Sequence, residues 1–481
     1  MSRLLIALDS SSSFLRSLLV IFLSLGFTGN ARADLYGTVW NLRGNFTVGS
    51  GDYIRMTGDG NGDSFTWQEG YFNHNASTMD FLGNAQIGLN AWGVFYQNGG
   101  DMNVGGYLSI ARYGGGGALI VNGGTVNSYN NQIIVGEVGS GSMTMNGGRA
   151  FSYQGVTLGA NGGSTGNLYL DGGTLEAGAI WKGGGTGNLG FNGGTLKATR
   201  DESNFISGLN SANIGGNGAV IDNNGKEIGI NQALTGSGSG SVKFDGGGRT
   251  TIRQNNTYTG GTLVRGGTLM VDTGGSIVNS SATVSSGATL KVNGVAGAVV
   301  LNGILSGTGT VGALTMNAGS TLNPGDTIGK LTASSASFAA GSTYNFGIAS
   351  VTGAAGTAAD LFSVTGALDL SAISSSSKMN LVLQSLSLVG FNVDSQYSWT
   401  LAEAGSFTGA EWVAGTDVTD RFVIDSTGFN AGTQPGRGFN VKTASEGGLV
   451  KLVLNAVPEP TTGSLFFMAG MLWAINRRRR S

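Results

Sequence analysis

The chain has no cysteine, 4 prolines and one histidine in 481 residues, and only 11% of its residues are charged. The missing cysteines exclude disulfide staples, thiolate metal sites and cysteine nucleophiles together. The scarcity of proline, with no Gly-X-Y period, excludes a collagen-like helix despite 88 glycines, well over twice the usual ~7% share. Low charge with 40% hydrophobic residues is the reverse of the disordered composition. Glycine, serine, threonine, asparagine, valine and leucine dominate instead, the mixture of many short strands joined by tight turns.

Both ends depart from that mixture. Arg3 and Arg16 flank an apolar run from Phe14 to Phe27, which ends at Ala31-Arg32-Ala33. This is the order of a secretory leader with a small-x-small cleavage site, so residues 1–33 are expected to be removed by signal peptidase between Ala33 and Asp34. At the other end stand Val457-Pro458-Glu459-Pro460, a 13-residue apolar stretch from Gly463 to Ile475, and Arg477, Arg478, Arg479 and Arg480. Thirteen residues fall short of the ~20 that cross a bilayer comfortably. The arginines would hold their end on the cytoplasmic side, and the prolines forbid helix on the other, leaving an extended backbone open to a protease. The two apolar runs are expected to form short hydrophobic helices. The leader carries +2 and the arginine run +4, so a chain without either moves from −2 to about −8. An acidic body lacks the basic footprint of nucleic-acid binding.

Pro458-Glu459-Pro460, the short apolar span and the terminal arginines resemble the PEP-CTERM sorting signal of Gram-negative bacteria. The resemblance covers about 25 residues, 457–481. It implies transient anchoring in the inner membrane through residues 463–475, cleavage near the Pro-Glu-Pro by an exosortase-type membrane protease, and a host that makes exopolysaccharide. An ordinary, permanent C-terminal anchor is the competing reading.

Between the ends one phrase recurs: an apolar run, Asn or Asp, Gly-Gly, then often Thr and an aliphatic residue. It occurs at Asn98, Asn122, Asn146, Asp171 and Asn192, with spacings of 24, 24, 25 and 21. Each unit carries a second short strand, as in Ile134-Val-Gly136 or Val156-Thr-Leu-Gly159. Self-similarity at this period marks a solenoid whose rungs bury one another's apolar faces. The expected fold is all-β, a right-handed parallel β-helix, with glycine at corners that need positive φ and Asn or Asp where it is tolerated. Alternation about Tyr169 should turn Leu168 and Leu170 inward. Stacked hairpins or sandwiches compete, because Asn-Gly also favours hairpins.

From about Gly236 the phrase changes. Asn256-Thr-Tyr-Thr-Gly-Gly-Thr-Leu-Val-Arg-Gly-Gly-Thr-Leu-Met-Val271 resembles the autotransporter-associated β-strand repeat, and Gly303–Val311 and Leu322–Leu331 are similar to the rungs that follow it. The resemblance, over roughly 236–345, implies a secreted parallel β-helix. It stops short of an autotransporter, since residues 346–456 are too few for the usual membrane barrel of many ~10-residue strands. The organisation expected is a leader to 33, glycine-rich rungs at 34–200, transition rungs at 201–235, the repeat region at 236–345, a less regular β cap at 346–456 and the sorting signal at 457–481.

Chemistry is sparse. Glycosidases set two carboxylates across a groove, whereas acids here fall at turns such as Asp171. Lys182, Lys197 and Arg200 lie close in sequence without a recurring acidic partner. His74 has no triad or metal partner in sequence and is expected to be a surface or packing residue. Asp59-Gly-Asn61-Gly-Asp63 has donors at alternate positions like the start of a calcium loop, but Ser64 and Gly70 stand where Gly and Glu are needed, which leaves a solvated turn. No cofactor is expected. The function expected is a non-enzymatic surface or matrix protein, structural or adhesive, seated among exopolysaccharide. The alternative is a carbohydrate-active enzyme, a polysaccharide lyase or glycosidase, with its site on a loop near Trp67, Trp92 or Trp181.

Overall fold

The computed structural model describes residues 32–457, apart from 37–38, 44–45, 49–52, 58–63, 76–77, 82, 89–91, 393–394, 410 and 430–437, with side chains from residue 72 onward except at 387 and 389. Among the described residues every element is a β-strand except one single-turn 3-10 helix at Thr419–Arg421. The two hydrophobic helices expected at the termini lie outside the described residues. Two compact units divide the chain, one up to Ala298 and one from Val299.

The first unit is a parallel β-solenoid. A typical rung has three short strands, such as Gly116–Val121, Thr125–Ser128 and Ile133–Val135, before the chain returns with Ser140–Met145. Each strand pairs in parallel with its counterpart one rung away. In the first ladder Leu119 aligns with Met143, Leu168 and Leu189; in the second Val126 aligns with Ala150, Leu175 and Leu196; in the third Ile133 aligns with Val156 and Ile180. All of these side chains are buried. Identical registers over successive rungs put like on like, so the core is three columns of aliphatic side chains rather than one central cluster. Leu168 and Leu170 point inward, and Tyr169 between them is 41% exposed, as strand alternation requires.

The corner after the first ladder is made by the repeated Asn-Gly-Gly. Positive φ falls on the second glycine in four copies, +69° at Gly100, +65° at Gly124, +63° at Gly148 and +61° at Gly173, and on the first in the fifth, +118° at Gly193. The expectation that Asn or Asp shares this conformation is corrected at these corners, while Asn224, at +53° before Gly225, adopts it. The first glycine serves close approach, since a Cβ at Gly123 would sit 2.5 Å from the carbonyl oxygen of Asn98 one rung below. The asparagines keep ordinary backbone and use their side chains between rungs.

After Ser211–Ile214 the longer strands of the first ladder end; later rungs keep two regular strands, and their third side carries only short pairings such as Ser276–Ile277 with Val295–Ala296. Val242–Asp245, Thr262–Val264 and Ala282–Val284 continue the second ladder at intervals of 20 residues. Between the third-ladder strand Arg249–Ile252 and Thr262–Val264 the core takes in Tyr258, 1% exposed, whose hydroxyl bonds Thr262 Oγ1 at 2.7 Å, with Thr262 bonded in turn to Ser280 at 2.8 Å. Burial pushes this phenol up to about 12.

The second unit continues in two parallel ladders whose strands lengthen towards the C-terminus. Thr310–Met316, Lys330–Phe338, Leu361–Asp369 and Tyr397–Thr408 form one; Thr321–Pro324, Thr343–Ser350, Met379–Val389 and Phe422–Gly428 form the other. Pairing then turns antiparallel. Leu449–Val457 runs against both Tyr397–Thr408 and Gly438–Glu446. The free edge of Gly438–Glu446 is covered in turn: Val418 N donates to Val441 O at 2.9 Å, Gly415 N to Thr443 O at 2.9 Å and Thr443 N to Thr416 O at 3.0 Å. An uncovered edge would template pairing with another chain, so this strap closes the ladder.

Candidate functional site

The outward faces of the first unit are built by the same registers as its core. At the Asn-Gly-Gly corner, Asn98 donates to Asn75 at 2.8 Å, Asn122 to Asn98 at 2.7 Å and Asn146 to Asn122 at 2.8 Å. On the second ladder Asn103 donates to Asp80 at 2.8 Å, Asn127 to Asn103 at 2.9 Å, and Arg149 Nη1 to Asn127 at 3.2 Å. A carboxamide is donor and acceptor at once, so a column of them satisfies itself at every rung. Apart from Asp80 and Arg149 at the ends of the second, these chains hold the surface polar and uncharged.

The second ladder then changes character. Arg149 forms a bidentate pair with Glu176 on the next rung, at 2.8 and 2.9 Å. That hydrogen bonding raises the arginine and holds the Glu176 carboxyl below its usual range. The Arg149 guanidinium also lies 5.2 Å from the centre of the Phe151 ring. Phe151 meets Tyr129 with ring centres 5.7 Å apart. At the corner that follows, Tyr129 is 51% exposed and Tyr153, one rung on, 47%. Arg200 reaches back to Tyr153, donating to its carbonyl at 3.2 Å with the guanidinium 5.9 Å from the ring centre, and pairs with Glu202 at 3.4 Å. Trp181, on the third ladder, covers Gly155, where a Cβ would meet its ring at 2.6 Å.

The residues singled out in the sequence are distributed as follows. Ala33 and Asp34 lie in the strand Arg32–Tyr36, aligned with Ile54 and Arg55. Ala31, Pro458, Glu459, Pro460, Arg477, Arg478, Arg479 and Arg480 lie outside the described residues, as do residues 463–475 and the Asp59–Asp63 segment. His74 is fully buried, with Nδ1 2.7 Å from Gln97 Oε1, and Gln97 is held by Gly99 O and Gly100 O. Of the surface and packing positions expected for it, this is the packing one. Trp67 and Trp181 sit in strands, Ser64–His74 and Ile180–Lys182, rather than on loops; Trp92 is 57% exposed and lies over Gly116. Among the described residues no three His, Asp or Glu side chains are grouped so as to hold a metal ion, and no helix is long and apolar enough to cross a membrane.

Many acids of the first unit face a guanidinium: Glu137 with Arg112, Glu227 with Arg249, Asp245 with Arg265 and Asp272 with Arg253. In the second unit one acid is almost fully buried: Asp360, 1% exposed, accepts from Gly329 N at 2.9 Å and Gly347 N at 2.7 Å. Burial pushes its carboxyl up to about 7 against the pull of those two amides. Nothing in the sequence singles it out beyond being a lone acid before an apolar run. It joins two rungs and faces backbone, so its chemistry is structural. No protein-family model matches the chain, and no curated protein matches it.

Proposed function

We infer that this chain is an exported, non-enzymatic protein of the cell surface or extracellular matrix, with a structural or adhesive role among exopolysaccharide. The observation that carries this reading is the outward face of the first unit, where amide columns and paired charges repeat from rung to rung and present hydrogen-bonding groups over a long, rigid surface. Such a surface suits many weak polar contacts with hydrated glycan. The body is then a right-handed β-helix of the kind secreted as autotransporter passengers, delivered instead by the leader and the C-terminal segment. Signal peptidase removes residues 1–33. The exosortase-type protease cuts near Pro458-Glu459-Pro460 after residues 463–475 and the four arginines have held the chain transiently at the inner membrane.

Mass spectrometry of the mature C-terminus, on protein recovered from the host's envelope and medium, tests this. A chain ending between Val457 and Thr462 supports sorting and release to the surface. A chain that still carries Arg477–Arg480 replaces the matrix reading with a permanently tethered one. Incubation with host exopolysaccharide should yield no new reducing ends or unsaturated products; either product would make the chain an enzyme.

A further inference from the structure

We propose that the corner between the second and third ladders, at Tyr129, Tyr153 and Trp181, is a binding platform for a neutral polysaccharide chain lying along the axis of the first unit. This deepens the functional reading above by assigning it a ligand class and a place, and it can fail separately from the sorting of the chain.

The fold does not need these rings. Register places Tyr129 and Tyr153 at the same corner position as Gly105 on the rung before and Gly178 on the rung after, because Val104, Ser128, Ser152 and Ala177 align in the second ladder. The turns differ in length, with residues 105–107, 129–132, 153–155 and 178–179 lying between the two ladders, but the first corner residue is glycine on the rungs to either side, while the two rungs between them expose about half of a tyrosine each. Exposed aromatic area that packing does not require has another use.

Their arrangement suits a sugar chain. Successive rungs are about 4.8 Å apart, so the two rings form a row parallel to the axis. The row is braced from the protein side: Phe151 lies against Tyr129 and Arg200 against Tyr153, which fixes the rings before any ligand arrives. Trp181 extends the aromatic surface onto the third ladder over Gly155. A ring face receives the apolar C–H face of a pyranose, and the hydroxyls at its rim need amides. Asn130, Asn131 and Gln154, all exposed, stand beside the tyrosines.

Charge selects a neutral occupant. Both guanidinium groups at the rings already face carboxylates, Arg149 with Glu176 and Arg200 with Glu202. From Thr125 to Glu202 the chain holds four cationic and five acidic side chains, so this stretch offers no excess of positive charge to a uronate or sulfated chain.

The test is native affinity electrophoresis of the full chain, purified with detergent, in gels containing hydroxyethyl cellulose, xyloglucan, galactomannan or dextran, with alginate as the anionic comparison. At least one neutral polymer should retard the wild type. Tyr129→Ser, Tyr153→Gly and Trp181→Ala combined should weaken that retardation at least tenfold, and Tyr153→Gly alone should weaken it measurably, this variant restoring the residue of the next rung. Tyr169→Ala, a half-exposed tyrosine on the first ladder, should leave it unchanged. Retardation by alginate alone, by no polymer, or equally in the triple variant overturns the proposal. So does sedimentation showing that the wild type self-associates and the triple variant does not, since the rings would then serve a second copy of the chain.

Discussion

The side-chain amide of Asn122 donates to the carboxamide oxygen of Asn98, 24 residues earlier, at 2.7 Å. The interval is one rung, so the contact measures the repeat of the fold. It also lies within a longer column that runs from Asn75 to Asn146. Asn122→Asp converts a donor into a second acceptor facing Asn98 while keeping the acceptor for Asn146. Because the column is exposed, a loss of about 0.5–1 kcal/mol is expected, read as a lower urea midpoint with an unchanged slope.

Glycine content can be separated into strain and space. At Gly124, φ is +65° and an added Cβ would collide with the carbonyl of Gly100. Gly163 has a φ of +84° with nothing within 4 Å of that position, and Gly162 is open without needing positive φ. Alanine should cost roughly 1–2 kcal/mol at 163 from backbone strain alone, clearly more at 124, and close to nothing at 162. Melting temperatures of the three variants give the order directly.

Asp360 gives the second unit a pH dependence with a definite sign. Its carboxyl is raised to about 7 in the fold, from 3.8. Between those values the folded chain holds a proton that the unfolded chain has released, so stability contributed by this group is present below about pH 4. It is lost as pH rises through 7. Urea unfolding at pH 5 and pH 8 should show a lower midpoint at pH 8. Asp360→Asn should reduce that difference, and an equal difference in the variant would refute the assignment to Asp360.

The two sides of one strand should respond oppositely to truncation. Leu168 is fully buried and Tyr169 is 41% exposed. Leu168→Ala should cost about 2–5 kcal/mol through lost burial and a cavity between rungs, whereas Tyr169→Ala should stay within about 1 kcal/mol. Denaturant midpoints of the two variants would show it.

Much of this protein is set along the chain. The 24-residue recurrence of Asn-Gly-Gly specifies a rung. The alternation about Tyr169 specifies which side chains enter the core, and the strands at 361–369, 379–389, 397–408, 422–428 and 449–457 coincide with apolar runs. These are local properties, written by period-two alternation and by glycine's access to positive φ. What tertiary structure alone decided is what stands one rung away. Asn98 meets Asn122, Arg149 meets Glu176, Tyr129 and Tyr153 share a row with Gly105 and Gly178, and Asp360 closes on Gly329 and Gly347. The shortening of the first ladder's strands past Ile214 belongs here as well, as does the burial of Tyr258 against Thr262. Register arises from stacking whole rungs, and most of the neighbours it creates lie some 20 or more residues apart in the chain, beyond the reach of any local pattern.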